Sequence, residues 1–427
     1  MLTRLSGLLA AVAVVALLSP AAPATAALAT AALATAAPAR APLPQTIQAW
    51  GSNSYGELGN GTTTDSSTPG PVKIPANTRF ASARCLLSCL AVTTTGQLYA
   101  WDNNAAGQLG DGTTKQRLTP VRVHLPAGTK VTAVRPGAFF TLALTASGKV
   151  LAWGSNAVGQ LGTGSKQSSR LPVPVKLPKG VTVKAISAGE DNGLALTTTG
   201  QVLSWGANAS GQLGTGNTKG RLTPGLVRLP KGTTVASIAA GPSSGYAVTK
   251  GGGMLAWGLN NHGQLGDGTT RQRRTPVKVS LPAGTTVVAA VSGDLHVLAL
   301  TKSGKVLAWG TNQAGQLGIG TTTERHRPVF VSFPTGVKAT ALAAGKDYSI
   351  ALTSQAAAPG PRAGDSTPVM HALLVWGGGE AGQLGTGSTA GSLVPVHPKL
   401  SDLLQPSSIG SGWGSVTSVA VCTQTPV

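Results

Sequence analysis

Apolar and polar residues alternate along this chain in short runs, each closed by glycine, proline or a threonine-glycine turn, and the runs recur with a near-constant period. The copy between Trp153 and Trp205 shows the pattern. Gly154 to Thr163 is rich in Gly and Asn and predicts a loop. Pro174 to Leu177 reads as a short strand, followed by the turn Pro178-Lys179-Gly180. Val183 to Ala188 alternates and stops at Gly189, and Leu194 to Thr197 alternates again. Thr198-Thr199-Gly200 then turns the chain into Val202 to Trp205. Helical periodicity is absent, so each copy predicts four short strands.

The copies begin near Trp50, Trp101, Trp153, Trp205, Trp257, Trp309 and Trp376, at spacings of 51, 52, 52, 52, 52 and 67 residues. A period of this length marks one supersecondary unit too small to bury a core alone. Seven units of four strands predict an all-β, seven-bladed β-propeller. The chain ends predict how the ring closes. In complete copies the glycine matching Gly189 lies 36 residues after its tryptophan, and the next tryptophan follows 16 later. Counting 36 residues from Trp376 reaches Gly412, but the chain stops at Val427 before another such strand. Ile47 to Trp50, conversely, has no repeat in front of it. This N-terminal strand is therefore expected to complete the last blade beside Val419 to Val421, which removes two open edges. The 67-residue spacing exceeds 52 by a 15-residue insertion at 355–370, in a hairpin tip where insertions are tolerated. The repeat tryptophans end apolar strands and are expected between blades, not on a ligand.

Residues 1–26 follow another pattern. Leu5 to Leu18 is almost wholly apolar after Arg4, and Ala24-Thr25-Ala26 fits a signal-peptidase site, giving Ala27 as the mature start. That run is shorter than the roughly 20 residues needed to span a bilayer, so no transmembrane anchor is expected. Residues 27–44, rich in Ala, Thr and Pro, read as a disordered spacer before a propeller at 45–427. The chain is expected to be secreted, and three cysteines then leave at least one unpaired. Cys85 and Cys89 face each other across a hairpin turn and are the expected disulfide; alternatively Cys422 takes one of them if the chain ends meet. No second cysteine or histidine cluster completes a metal site.

Charge adds a candidate partner. The chain carries 33 Lys+Arg against 13 Asp+Glu, a net +20, which falls to +18 without Arg4 and Arg40. Such a balance favours anionic partners such as an extracellular wall polymer, with no specific nucleic acid expected. If strands alternate in direction, the long loop after each tryptophan and the short loop after each Ala-Gly share one face. The long loops carry a basic crown over five consecutive blades: Lys115 and Arg117, Lys166 and Arg170, Lys219 and Arg221, Arg271, Arg273 and Arg274, and Arg325 and Arg327. The short loops vary, offering Leu86-Leu87, Phe139-Phe140, Glu190-Asp191, Asp294 and His296, Lys346-Asp347-Tyr348, and Trp413. Varied side chains on a constant scaffold predict a recognition surface.

Catalysis finds little support. His124, His262, His296, His326, His371 and His397 are scattered, none at metal-ligand spacing. Glu190-Asp191 is an adjacent acidic pair, and neighbours on one loop do not flank a substrate as glycosidase carboxylates do. Asp294 and His296 have no activated serine or cysteine beside them. The repeated Gly-x-x-Gly-x-Gly lacks the following helix of a phosphate cradle. No cofactor is expected.

The phrase Trp-Gly-x-Asn-x-x-Gly-Gln-Leu-Gly-x-Gly, then Pro-Val, Ala-Gly and Leu-Ala-Leu-Thr-x-x-Gly-x-Val-x-x-Trp, resembles the repeat of the regulator of chromosome condensation family. The resemblance spans Gln45 to Val427 and implies the propeller fold. That family's founding member is a nuclear propeller that binds nucleosomes and promotes nucleotide exchange on the small GTPase Ran. Bacterial members are more often extracellular, and a related propeller is a secreted inhibitor of β-lactamases. Three residues after the Ala-Gly glycine the family usually carries histidine; here those positions hold Ser88, Phe140, Asn192, Ser244, His296 and Tyr348. The expectation is a monomeric secreted binding module that recognises an extracellular protein or anionic polymer through one face. Inhibition of a secreted enzyme is the alternative, with guanine-nucleotide exchange a remote one.

Overall fold

The computed structural model describes residues 45–354, 371–401, 404–412 and 415–424. The expected leader and spacer, the 355–370 insertion and Trp413 lie outside the described residues. Seven antiparallel sheets of four strands account for the described chain. In the third blade the order from the axis outward is Val183–Ala188, Asn192–Thr197, Val202–Gly206 and Arg221–Leu226. Arg84, Arg135, Ser187, Ala239, Val291 and Ser411, from six different blades, line one central cavity, which identifies the first strand of each blade as the innermost.

Burial follows from this stacking. The second and third strands of the blade are buried on both faces, because neighbouring blades cover both sides. The hydrophobic clusters accordingly lie between blades: Phe140, Leu142 and Val150 of the second blade pack with Val183, Ile186 and Trp205 of the third. The outer strand begins earlier than the sequence suggests, at Ser169–Pro174 in the second blade and not at Pro174 to Leu177. Its register breaks between Ser169↔Gly154 and Val173↔Ala152, so an exposed bulge hides the alternation. Val175 instead turns inward beyond the strand, its amide donating to the Val150 carbonyl at 2.9 Å.

The ring closes as the chain ends predict. Gln45–Gly51 pairs with Thr417–Gln424 from Gln45↔Thr423 to Gly51↔Thr417, in a sheet completed by Ser66–Pro71 and Leu404–Gly410. All seven repeat tryptophans are fully buried. Each indole N–H donates to a main-chain carbonyl of the preceding blade, as Trp205 does to Gln160 at 2.9 Å and Trp153 to Gln108 at 2.8 Å. Trp50 spans the closure, donating to Gln383 at 2.9 Å. The motif asparagine clamps its own loop: Asn156 Nδ2 donates to the Ser165 and Gln167 carbonyls, and its Oδ1 accepts from the Leu161 amide at 2.9 Å. The repeated phrase is thus the hardware of the long loop and of the blade interface.

Candidate binding faces of the propeller

Strand direction divides the connections between two faces. In the third blade, Asn192↔Gly206 and Gly206↔Arg221 mark one end, and Val183↔Thr197 and Leu203↔Leu226 the other. Short Ala-Gly loops and long post-tryptophan loops therefore emerge together on a loop face. The Thr-x-x-Gly hairpins and Leu-Pro loops form the opposite, turn face.

Short loops are tied to one another around the channel mouth. The Ala138 amide donates to the Glu190 carbonyl at 3.1 Å, and the Glu190 amide to Pro242 at 3.1 Å. The Asp294 amide donates to the Lys346 carbonyl at 3.3 Å, and the Lys346 amide to the Ser415 carbonyl at 2.9 Å. This collar fixes the backbone and leaves side chains to vary. Phe139 is 42% exposed, Glu190 and Lys346 are exposed, and Asp191 and Asp294 are half-buried. Asp191 accepts from Gln160 Nε2 of the neighbouring long loop at 2.9 Å. Burial raises the carboxyls of Glu190, Asp191 and Asp294, and the charges of Asp191 and Asp294 push Glu190 further.

Three expected contact residues lie elsewhere. Phe140, His296 and Tyr348 are fully buried, because the position after the short loop begins the second strand. Each pairs with a glycine of positive φ, as Phe140 does with Gly154 (φ 102°), and a Cβ on that glycine would collide with the Phe139 carbonyl. Tyr348 Oη is satisfied by Ser411 Oγ at 2.6 Å and the Thr417 carbonyl at 2.7 Å. His296 Nε2 contacts Ser349 Oγ at 3.0 Å, and burial pushes its imidazole down to about 3, so it is neutral. These side chains fill the space beneath the collar.

The crown is not a free belt either. Arg117 grips Asp111 through Nη2 at 2.6 Å and Nε at 2.9 Å, and Arg273 grips Asp267 in the same way at 2.7 and 2.9 Å. Burial alone would raise the Asp111 carboxyl, but hydrogen bonds from Thr113 and Arg117 outweigh it and hold the group low. Lys115, Lys166, Arg170, Lys219, Arg271, Arg274 and Arg327 are exposed, while Arg221 and Arg325 are partly covered. His262 and His326, distant in sequence, both meet Glu324, at 3.2 and 2.7 Å.

Carboxylates separate the two faces. Glu57, Asp65, Asp102, Asp111, Asp267, Glu324 and Glu380 sit in or beside long loops, and Glu190, Asp191, Asp294 and Asp347 in short loops. These are all eleven described carboxylates, set against twelve loop-face cations, the crown plus Lys346. The turn face has exposed Lys149, Lys250, Lys302 and Lys305 in hairpins, and Lys179 and Lys231 in Leu-Pro loops. Arg79, Arg122, Lys130, Lys184, Lys278 and Lys338 extend it at or beside strand ends, making twelve cations with no carboxylate among the described residues; Lys73, Lys176, Arg228 and Lys399, just past the outer strands, lean on long-loop glycines at the outer rim and belong to neither set. Asp365 and Asp402 lie outside the described residues. Sequence reasoning missed this face because it counted cations without assigning each acid to a strand end. Lys305 also lies 5.4 Å over the exposed Phe330 ring.

Cys85 and Cys89 are bridged, and Cys422 is a buried free thiol pushed up to about 12 by burial. Among the described residues no group of His, Cys, Asp and Glu is placed to hold a metal, and no helix is long and apolar enough to cross a membrane.

The model of the RCC1-like domain matches residues 46–425. The chain belongs to that family. It is 28% identical over 351 residues to the ultraviolet-B receptor UVR8 of Arabidopsis thaliana, covering 82% of this chain and 76% of that one. It is 31% identical over 315 residues to the human E3 ubiquitin-protein ligase HERC2, which covers 72% of this chain but only 6% of HERC2. Human WBSCR16 shares the fold at a TM-score of 0.77 with 22% identity, over 90% of this chain and 100% of that one. Yeast RCC1 (Prp20), in a complex with Kap60, does so at 0.76 with 22% identity, over 90% of each chain.

Proposed function

We propose that this RCC1-like propeller is an extracellular binding module, without catalysis of its own, that recognises a protein partner through its loop face. The collar carries this reading: its backbone is hydrogen-bonded from blade to blade while Phe139, Glu190, Asp294 and Lys346 differ at equivalent loops. Rigid display of varied side chains is what recognition requires, and an exposed aromatic is an efficient anchor. The leader at 1–26 supports the extracellular setting, and N-terminal sequencing of exported protein should begin at Ala27. UVR8 is named a receptor, and Prp20 is found bound to Kap60, so proteins of related fold engage other molecules. Inhibition of a secreted enzyme is one form this recognition takes; guanine-nucleotide exchange is checked by a nucleotide-release assay, where no acceleration is expected.

The test is capture from the producer's secreted proteins, eluted in rising salt. A single protein held at high salt by the wild type, and lost by Phe139→Ala with Glu190→Lys, supports the reading. Equal retention by both sinks it.

A second reading has its own observation. Among the described residues the turn face shows no carboxylate, and it fits an anionic wall polymer better than the crown does, because loop-face acids nearly cancel the crown. Wall polymer released at modest salt, and no longer bound when turn-face lysines are neutralised, supports it.

A further inference from the structure

The innermost strands place one residue per blade at the same level of the channel. Strand register identifies the seven equivalents as Arg84, Arg135, Ser187, Ala239, Val291, Ala343 and Gly410. Five of them are small or uncharged, so the fold itself asks for no long cation here. The first and second blades nevertheless present two arginines side by side. Arg135 Nη1 donates to its neighbour's carbonyl, Val134, at 2.8 Å, and the Arg84 guanidinium has no hydrogen bond or ion pair among the described residues.

Burial lowers both guanidinium groups, and the charge of Arg84 adds to the effect on Arg135, which falls to about 9. Two unpaired like charges in a partly dry channel are costly unless something anionic lies between them. Both line a cavity of about 120 Å³ with Ser187, Ser292, Ser411 and Gly412. Ser187 Oγ accepts the Ala240 amide at 3.0 Å, which leaves its own proton to donate. The space is far smaller than the roughly 300–1,000 Å³ of pockets for drug-sized ligands.

We propose that this level of the channel is an anion site in which Arg84 and Arg135, helped by the Ser187 hydroxyl, hold one tetrahedral oxyanion of the phosphate or sulfate class. Arginine suits such a ligand because its planar fork gives paired N–H···O bonds. The site lies beside the Cys85–Cys89 bridge, so a bound oxyanion ties the first two blades together at the channel mouth.

The experiment is thermal unfolding of the full chain at pH 7 in phosphate, acetate or chloride at matched ionic strength. Phosphate well above its dissociation constant should raise the wild-type melting temperature by about 3 °C or more over chloride. Arg84→Met and Arg135→Met should each lose most of that rise, while Lys176→Met, an exposed lysine just past an outer strand, keeps it. In chloride, Arg135→Met should melt no lower than wild type, since it removes a repelled charge; this also shows that the variant folds. Calorimetric titration of phosphate into the wild type should give one site per chain. Equal melting in phosphate and chloride overturns the proposal, as does a phosphate response that survives in the double Arg→Met variant. An acetate response as large as that of phosphate overturns the tetrahedral assignment, because the clamp then reads a carboxylate.

Discussion

The loop face and the turn face arise from the same repeats and carry twelve described cations each, yet they differ in what surrounds those cations. On the loop face, long loops need acceptors for their own amides. Asp111 and Asp267 meet that need and capture Arg117 and Arg273 in doing so. On the turn face, short hairpins and Leu-Pro loops are closed by backbone bonds, such as Gly200 N to Thr197 O at 3.0 Å. Among the described residues they use no carboxylate, and their lysines form no ion pair. Equal cation counts thus give a near-neutral, sculpted face and a plain positive one. Net charge alone hides this.

The largest expected effect separates the surface of the loop face from what lies beneath it. Phe139 and Phe140 are adjacent in sequence, but one is exposed and the other sits in an interblade cluster with Leu161 and Trp205. Phe140→Ala should lower stability by about 3–5 kcal/mol in denaturant unfolding. Phe139→Ala should stay within about 0.5 kcal/mol of wild type. Similar losses for the two would mean that the collar is part of the core, and the contrast between the faces would need redrawing.

Neutralising the cations tests the comparison directly. Replacing Lys231, Lys250, Lys302 and Lys305 by Gln should weaken binding to a polyanion such as polyphosphate about tenfold, at roughly 0.4 kcal/mol per contact. Four loop-face changes, Lys166, Arg170, Lys219 and Arg271 to Gln, should cost clearly less, because nearby carboxylates already oppose the ligand. Binding by retention on immobilised polyphosphate at several salt concentrations measures both. A larger loss from the loop-face set would restore the crown as the polymer site.

Much of this architecture is legible in the sequence, for reasons that also mark the limit. Trp spacing, turn glycines and the missing terminal strand dictate seven blades and the Gln45–Gly51 closure, since each reflects a local need. The Cys85–Cys89 pairing is legible because the two are Cα partners across a short loop. Whether a residue beside a loop is inside or outside is not. Phe140, His296 and Tyr348 look like loop residues until register sets them opposite Gly154, Gly310 and Gly377. Arg84 and Arg135 are equally quiet, because a single charge in an alternating strand looks like its solvent side. Only alignment with Ser187, Ala239 and Val291 shows both facing a shared channel.

Asp102 sharpens the charge comparison, since it is counted among the loop-face carboxylates. It replaces the glycine that follows the other tryptophans, takes φ of 91°, and is buried with Oδ2 lacking a partner. Burial raises its carboxyl well above the usual range, and the charge of Glu57 adds to the shift. A raised acid favours folding below its unfolded value near 3.8, and that contribution is lost as pH rises through the folded value. Asp102→Gly should therefore stabilise the protein by about 1–2 kcal/mol at pH 7, through relief of both strain and burial. The gain should shrink toward pH 4. A variant that melts lower than wild type at pH 7 would show that Asp102 is ionised and paired after all.

Arg117 offers the smallest and most local break. If the long-loop aspartates exist to brace their loops, then losing the guanidinium should cost stability where losing a neighbouring free lysine does not. Asp111 is nearly buried, and Arg117 is 31% exposed, so the pair is only partly screened. Arg117→Met should cost about 1 kcal/mol at pH 7, and Lys115→Met less than about 0.5 kcal/mol. The pH dependence runs opposite to that of Asp102. Because the Asp111 carboxyl is depressed in the fold, its contribution is present above about 3.8 and fades as pH falls through the folded value. The Arg117→Met penalty should thus diminish in acid while the Asp102→Gly gain grows toward neutrality. Two carboxylates nine residues apart would then be read as one brace and one burden, and the loop face would owe its neutrality to folding needs more than to any ligand.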